Sequence, residues 1–151
     1  MKALTLTQPW ATLVAIGAKR IETRSWCTAY RGPLAIHAAK GFPKWAKETC
    51  DDPIFAVELG PDALPLGAVI ATCRLVSCIP TWKLQQNRVI QIDCEDFYLD
   101  DTERAFGDYA PGRWAWLLAD VKQCEPIPAK GALGLWDWET LTQRGWRWAT
   151  Y

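Results

Sequence analysis

Three side chains near the start of the chain have the types and spacing of a small reactive group. Lys19, Glu22 and Arg24 come shortly after a glycine, a residue that commonly ends a helix. Neighbouring positive charge and partial burial both favour the neutral form of a lysine, which can act as a base or a nucleophile. Glu22 would then relay the proton, and Arg24 or a backbone amide would stabilise a developing oxyanion. The three residues are therefore candidates for catalysis without a metal ion.

The same residues also fit a purely structural arrangement. Residues 20–26 have an extended pattern, and side chains two positions apart on a strand share a face. Glu22 can therefore form a salt bridge with Arg20 or Arg24, which would leave Lys19 in solvent. The sequence leaves both arrangements open.

Basic and aromatic residues surround this group and indicate a nucleic-acid ligand. Arginine holds phosphates through paired hydrogen bonds, and an aromatic ring beside arginines can stack on an unpaired base. His37, the single histidine, can be a general base, although its apolar neighbours also fit a half-buried strand residue. We predict ligand contacts from Gln8, Trp10, Arg20, Trp26, Tyr30, Arg31, His37 and Lys40.

The charges are unevenly distributed, although the net charge is zero. Residues 1–47 contain eight lysines or arginines and one acid, a net charge of +7. Residues 48–103 contain three basic and eleven acidic residues, a net charge of −8. This asymmetry favours a basic surface for an anionic partner, unless the fold mixes the charges again.

The composition excludes several classes of protein. Half of the 151 residues are apolar and ten are tryptophan, which suits one domain over residues 1–151. Apolar runs are shorter than the ~20 residues that span a membrane, and the first is interrupted too early for a signal peptide. We therefore expect a cytoplasmic protein that does not associate with a membrane. The six scattered cysteines form no CxxC pair, so we predict no metal, disulfide or cofactor.

Short strands mixed with short helices are predicted along the chain. Strands are expected at residues 2–7, 34–39, 67–79 and 114–121, and helices after Pro9 and at 43–50. Residues 81–112 are predicted to be a variable insertion with one strand near 88–92. A proline-rich turn at 125–128 and a helical turn at 137–142 follow. Without regular βαβ repeats, the pattern favours an α+β fold, a small mixed β-barrel with two or three short flanking helices.

Several motifs in this order resemble the ASCH family, named for activating signal cointegrator homology. They cover nearly the whole chain outside residues 81–112. The matching segments are residues 6–11 (LTQPWA), 17–26 (GAKRIETRSW), 30–34 (YRGPL), 36–38 (IHA), 67–69 (GAV), 113–116 (RWAW), 130–131 (KG) and 134–136 (GLW). The resemblance implies a barrel of the PUA-like group, with a basic cleft between the first helix and the Gly-x-Lys-x-x-Glu segment.

Three functions remain open under this resemblance. Family members are associated with RNA, which implies a module that binds RNA or a modified nucleotide. Some bacterial members are metal-independent hydrolases, either amidohydrolases acting on acetylated cytidine or ribonucleases, and Lys19 is similar to the cleft lysine of the amidohydrolase type. That type has a threonine where this chain has Glu22, and its catalytic glutamate has no sequence match here. The third function is a protein-interaction domain that uses exposed tryptophans and the acidic residues 93–103. The oligomeric state is left open.

Overall fold

The computed structural model describes residues 1–139, which form eight strands and five short helices. The strands are β1 (Lys2–Leu6), β2 (Ile21–Arg24), β3 (Gly32–Ala38), β4 (Ala68–Pro80), β5 (Ile90–Ile92), β6 (Glu95–Phe97), β7 (Trp114–Pro128) and β8 (Leu135–Asp137). The helices are α1 (Trp10–Ala15), α2 (Lys44–Thr49), α3 (Pro53–Leu59), α4 (Thr81–Gln86) and α5 (Asp101–Phe106). The predicted α+β class is confirmed, with more helices than expected because α3, α4 and α5 are each too short for a clear pattern.

Six strands form one curled sheet in the order β2-β7-β4-β3-β1-β8. β1 and β3 are parallel, and the other neighbouring strands are antiparallel. The long pair β4 and β7 shifts register at three places, and Asp120 has a φ of 54° next to one of them. Such bulges bend a strand and increase its twist. The sheet therefore curls into a half-barrel whose two edge strands are β2 and β8.

Helix α1 lies between the sheet and the helices α3 and α5. Val14 packs into the main core, which is formed by buried side chains of β1, β3, β4 and β7. Leu13 packs on the opposite side, against Phe55 of α3 and Phe106 of α5. Gly17 ends this segment with a φ of 81°, as its predicted role as a helix stop requires. The helix is thus held from two sides, at the end of the sheet where β2 begins.

The predicted insertion, residues 81–112, packs on β2 and β7. Leu84, Phe97 and Tyr109 are buried against Ile21 and Leu117. β5 falls at the predicted strand and pairs with β6 through a two-residue turn, in which Asp93 and Cys94 have φ angles of 52° and 64°. Positive φ at both positions is typical of a type I′ hairpin turn.

The predicted proline-rich turn at residues 125–128 is wrong, because these residues continue strand β7. β4 pairs with β7 as far as Ala68, which faces Pro128. On its other edge, β7 pairs with β2 over Trp114–Leu117, and the Leu118 amide donates to the Arg20 carbonyl; no other strand within residues 1–139 pairs with that edge. Proline has no amide hydrogen to donate and is tolerated at such an edge.

The end of the described chain also differs from the prediction. Residues 135–137 form strand β8 beside β1, where a helical turn over 137–142 was predicted. Residues 140–142 lie outside the described residues. Within residues 1–139, no helix has the length and apolarity needed to cross a membrane.

Candidate functional site

A cavity of about 480 Å³ opens at the β2 edge of the sheet. Its walls come from β2, the start of α1, helix α2, the end of α5 and the loop after α5. The volume lies within the range of small-molecule sites. We call it the β2 cavity; it is lined by Leu6, Thr7, Trp10, Glu22, Thr23, Arg24, Trp45, Ala105, Phe106, Gly107, Asp108 and Arg113.

Three of the predicted site residues meet in the β2 cavity: Trp10, Glu22 and Arg24. Glu22 and Arg24 are two positions apart on β2, so their side chains point to the same face of the sheet. Pairing with β7 fixes this direction, because Glu22 faces Trp116 and Arg24 faces Trp114 in the register. The cavity therefore receives an acid and a base from one strand.

Glu22 and Arg24 do not pair with each other. Oε1 of Glu22 accepts a hydrogen bond from the amide of Thr23 at 2.9 Å, while Oε2 has no partner among the described residues and remains accessible. The Arg24 guanidinium makes no hydrogen bond or ion pair within residues 1–139 and lies 6.0 Å from the centre of the Trp26 ring. Both charged groups are therefore available to a ligand.

Two tryptophans form the aromatic side of the β2 cavity. The rings of Trp10 and Trp45 lie 5.7 Å apart at an angle of 41°. Phe55 packs edge-on behind Trp10 at 6.0 Å, and Phe106 packs on Phe55 at 4.9 Å. Trp45 is 59% exposed, so it offers ring surface at the mouth of the cavity. Trp45 was not predicted as a site residue, although its place in an amphipathic helix was.

The opposite wall comes from the segment that follows α5. The amide of Asp108 donates to Oγ1 of Thr23 at 2.9 Å. The Arg113 guanidinium donates to the carbonyls of Asp108 and Thr23 at 3.0 and 3.2 Å and also pairs with the Asp108 carboxylate at 3.4 Å. Sequence reasoning missed this wall because the contacts join residues about 85 positions apart. Arg113 belongs to a motif of the family resemblance, which is the one signal that could have identified it.

Lys19 lies behind the β2 cavity and does not line it. Its side chain is fully buried, and the ammonium donates a hydrogen bond to the carbonyl of Ile21. The backbone amide of Lys19 donates to the Leu13 carbonyl at 3.0 Å. The structural alternative, a salt bridge of Glu22 with Arg20 or Arg24 that leaves Lys19 in solvent, is also not found. Lys19 is buried, and Glu22 makes no salt bridge in the described residues. In this structure Lys19 stabilises the turn between α1 and β2.

Glu103 and Tyr109 form a buried polar group next to Lys19. Oε1 of Glu103 accepts a hydrogen bond from the amide of Arg20, whereas Glu103 Oε2 and the Tyr109 hydroxyl have no partner among the described residues. Burial raises the pKa of Glu103 to about 7, although the Lys19 ammonium and the Arg20 amide oppose the shift. Burial also raises the pKa of Tyr109, and the Glu103 and Glu22 carboxylates add to it.

Gln8 and Arg20 lie outside the β2 cavity and bind other parts of the chain. Gln8 is fully buried; it accepts from the amide of Thr12 at 2.9 Å and donates to the Thr12 hydroxyl and the Pro65 carbonyl at 2.8 and 2.9 Å. Arg20 pairs with Glu95 at 3.1 Å and packs over the Phe97 ring. Gln8 therefore stabilises α1, and Arg20 attaches the β5–β6 hairpin.

Trp26, Tyr30 and Arg31 also lie away from the cavity lining. Trp26 packs edge-on against the buried Trp116 at 4.7 Å. Tyr30 donates to the Pro33 carbonyl, and Arg31 is exposed with hydrogen bonds to the carbonyls of residues 28 and 30. Of the three, Trp26 is linked to the site, through its contact with Arg24.

His37 and Lys40 are separated from the site. His37 is 1% exposed; its Nδ1 lies 3.1 Å from Oγ1 of Thr5 and its Nε2 lies 2.7 Å from the carbonyl of Ala129. These contacts fit the second interpretation of His37, a strand residue whose ring nitrogens have hydrogen-bond partners within the chain. Lys40 is exposed and close to Gly67, so it does not face the β2 cavity.

A second, larger groove of about 1050 Å³ lies on the other side of α1. Its lining is largely apolar and includes Met1, Ile16, Leu59 and Ile70. None of the predicted site residues lines it. The β2 cavity is therefore the stronger candidate for a polar, anionic ligand.

Comparisons with known proteins agree with the resemblance. The family model of the ASCH domain matches residues 4–128. Activating signal cointegrator 1 of Mus musculus is 31% identical over 88 residues, which are 55% of this chain and 15% of that protein. The same protein of Homo sapiens is 32% identical over 81 residues, 50% of this chain and 14% of that protein. The match thus spans about one seventh of the length of these curated relatives.

Solved structures of similar proteins include the ASCH protein of Zymomonas mobilis. It has a TM-score of 0.47 and 18% sequence identity, and the match covers 84% of this chain and 72% of that chain. A tyrosine-to-phenylalanine variant of the same protein gives a TM-score of 0.47 at 17% identity, covering 84% and 74%.

Proposed function

Because this chain belongs to the ASCH domain family, we propose that its β2 cavity binds RNA or a modified nucleotide. The family is generally linked to RNA binding. The observation that carries the proposal is that Glu22 and Arg24 project into one cavity and leave each other unpaired. Charged groups held apart in a partly buried place are costly unless a ligand satisfies them.

The cavity offers each type of contact that a nucleotide needs. Arg24 can donate two hydrogen bonds to a phosphate or a base carbonyl. Glu22 can accept hydrogen bonds from the polar edge of a base. The exposed ring of Trp45 can stack on an unpaired base, as aromatic side chains do in modules that bind single-stranded RNA. We also propose that residues 1–151 form one domain, in which the insertion at 81–112 supplies a wall of the site.

Hydrolysis by Lys19 is supported less well than binding. Lys19 is fully buried and donates to the Ile21 carbonyl, so it must leave this position before it reaches a ligand in the β2 cavity. The acidic segment 93–103 is also partly used within the chain, since Asp93 pairs with Arg74 and Glu95 with Arg20. Contacts of this kind leave fewer groups for a protein partner.

The test measures the affinity of the purified protein for a labelled single-stranded RNA in the absence of metal ions. Fluorescence anisotropy of the RNA reports the binding. Arg24→Gln is expected to weaken binding about tenfold, which corresponds to one lost charge-assisted contact. Arg88→Gln is the matched control and should bind as the wild type does, because Arg88 is exposed and makes no hydrogen bond or ion pair in the described residues. Equal affinities of the three proteins, or no binding, would contradict the proposal.

The same samples test for turnover. Mass spectrometry of the RNA and of a panel of acylated nucleosides after incubation should find every substrate intact. Product that is formed by the wild type and lost in Lys19→Ala would establish the hydrolase instead.

A further inference from the structure

We propose that Glu22 makes the β2 cavity selective for guanine among the RNA bases. This inference rests on the proposed function, because it requires that the cavity hold a base. It adds the identity of the base, which neither the fold nor the family match specifies.

The position of the Glu22 carboxylate limits what a ligand can present to it. An ionised carboxylate accepts hydrogen bonds and donates none. The Thr23 amide donates one hydrogen bond to Oε1 of Glu22, and Oε2 has no hydrogen-bond partner among the described residues. The side chain is only 7% exposed, so a base edge that approaches it displaces most of the water there. A base whose edge does not match the carboxylate then cannot replace the missing hydrogen bonds with bonds to water.

Guanine is the standard base that matches this carboxylate. Its Watson–Crick edge carries two neighbouring donors, N1–H and the N2 amino group. Adenine and cytosine each place a ring nitrogen acceptor next to their amino donor, and uracil flanks its single N–H with two carbonyl acceptors. An acceptor held against a buried carboxylate is repelled and leaves a hydrogen-bonding group unsatisfied. Sites built on such pairing reject the wrong partner strongly.

The neighbours of Glu22 strengthen this preference. No lysine or arginine forms a salt bridge with Glu22 in the described part of the chain, so its charge is not cancelled before the ligand binds. Arg24 lies on the same face of β2, about 7 Å further along the strand. Its free guanidinium is a donor that suits guanine O6 or a phosphate.

The experiment measures the affinities of five RNA pentamers that have uridine at four positions and differ at the third. The third base is guanine, adenine, cytosine, uracil or hypoxanthine, the base that lacks the N2 amino group of guanine. The wild type should bind the guanine pentamer at least tenfold more tightly than the adenine, cytosine and uracil pentamers. The hypoxanthine pentamer should bind several-fold more weakly than the guanine one, because it retains N1–H alone.

Glu22→Gln provides the second measurement. Its side-chain amide both donates and accepts, so the guanine preference should disappear and the adenine pentamer should gain relative to guanine. Asp96→Asn, an exposed acid outside the cavity, is the control and should keep the guanine preference. Thermal unfolding of each variant verifies the fold, and the hypoxanthine comparison needs no variant.

The outcomes separate the inference from the proposed function. Equal wild-type affinities for the five pentamers overturn guanine selectivity and leave RNA binding intact. A preference that persists in Glu22→Gln also overturns it, because another group must then recognise the base. If neither the pentamers nor RNAs of greater length bind, the proposed function itself fails.

Discussion

The charged residues of this region differ in whether they line the β2 cavity. Glu22 and Arg24 reach the β2 cavity, whereas Lys19 and Glu103 are buried behind it. Glu103 has one oxygen bonded to the Arg20 amide and one without a partner in the described residues. Its carboxyl is therefore an acidic group whose ionisation should depend on folding.

Glu103→Gln should remove a pH dependence of stability. Burial raises the folded-state pKa of Glu103 from 4.5 to about 7, so between these values the native protein binds more protons than the unfolded chain. The contribution of Glu103 to stability should therefore be largest below about pH 4.5 and be lost as the pH rises to about 7, a change of up to about 3 kcal/mol. Urea denaturation at pH 5 and pH 7.5 measures the free energy of unfolding. The variant, which mimics the protonated acid, should lose less stability between the two values.

The control for this prediction is Glu125→Gln, which changes an exposed acid. Its stability should follow the wild type across the same pH range. If Glu103→Gln follows the wild type as well, the Glu103 carboxyl does not titrate as its buried position requires.

At the scale of elements, α1 depends on one side chain that precedes it. Its N-terminus has no side-chain cap from Pro9, and Gln8 binds Thr12 and the Pro65 carbonyl instead. The sequence predicted a ligand contact for Gln8. The geometry assigns Gln8 to the connection between α1 and the loop before β4.

Gln8→Ala should lower the free energy of unfolding by about 1–3 kcal/mol, because it leaves the Thr12 amide and the Pro65 carbonyl without partners in a buried place. Chemical denaturation measures the change. Gln86→Ala, at an exposed position of α4, should stay within about 0.5 kcal/mol of the wild type. Similar losses for both variants would rule out a specific role for Gln8.

The loop after α5 should be intolerant of added volume at Gly107. A Cβ atom there would lie 2.8 Å from the ring of the buried Tyr109 and 3.2 Å from Thr23, which lines the β2 cavity. Gly107→Ala should therefore cost about 1–3 kcal/mol of stability and weaken RNA binding by displacing the wall. Gly41→Ala, where a Cβ meets nothing within 4 Å, is the control. An unaffected Gly107→Ala protein would mean that the wall moves freely.

At the scale of the whole molecule, the fold mixes charges that the sequence separates. The basic first third and the acidic middle of the chain meet where Arg20 pairs with Glu95, and Lys2 pairs with Asp137 near the end of the described residues. Three of the eight basic side chains of residues 1–47, those of Lys2, Arg20 and Lys44, thus form ion pairs in the described part of the chain, and Lys19 is buried. At the β2 cavity, the proposed anionic ligand would meet two arginines, Arg24 and the partly paired Arg113.

RNA binding should therefore depend weakly on salt. Single-stranded binding has a slope of about −0.7 in log affinity against log salt for each phosphate contacted. Contacts from Arg24, with or without Arg113, predict a slope between about −0.7 and −1.4. Anisotropy titrations at several salt concentrations measure the slope, and Arg24→Gln should reduce its magnitude by about 0.7. A slope of −3 or steeper would require phosphate contacts outside the β2 cavity.

The sequence by itself determined the family, the α+β class and the strand that carries the site. Local signals suffice for these features, since strand alternation in residues 20–26 and a glycine stop at Gly17 depend on neighbouring residues alone. The same signals placed Trp10, Glu22 and Arg24 close together.

The tertiary structure decided which of the candidate side chains can meet a ligand. Lys19 was predicted to be catalytic and Gln8 and His37 to bind a ligand, but packing buries all three, and each forms a hydrogen bond with a backbone carbonyl. The site wall from residues 105–108 and the buried Glu103 came from a segment without a clear pattern. Burial and cross-chain hydrogen bonds arise from contacts between residues far apart in the chain, so local periodicity carries no information about them.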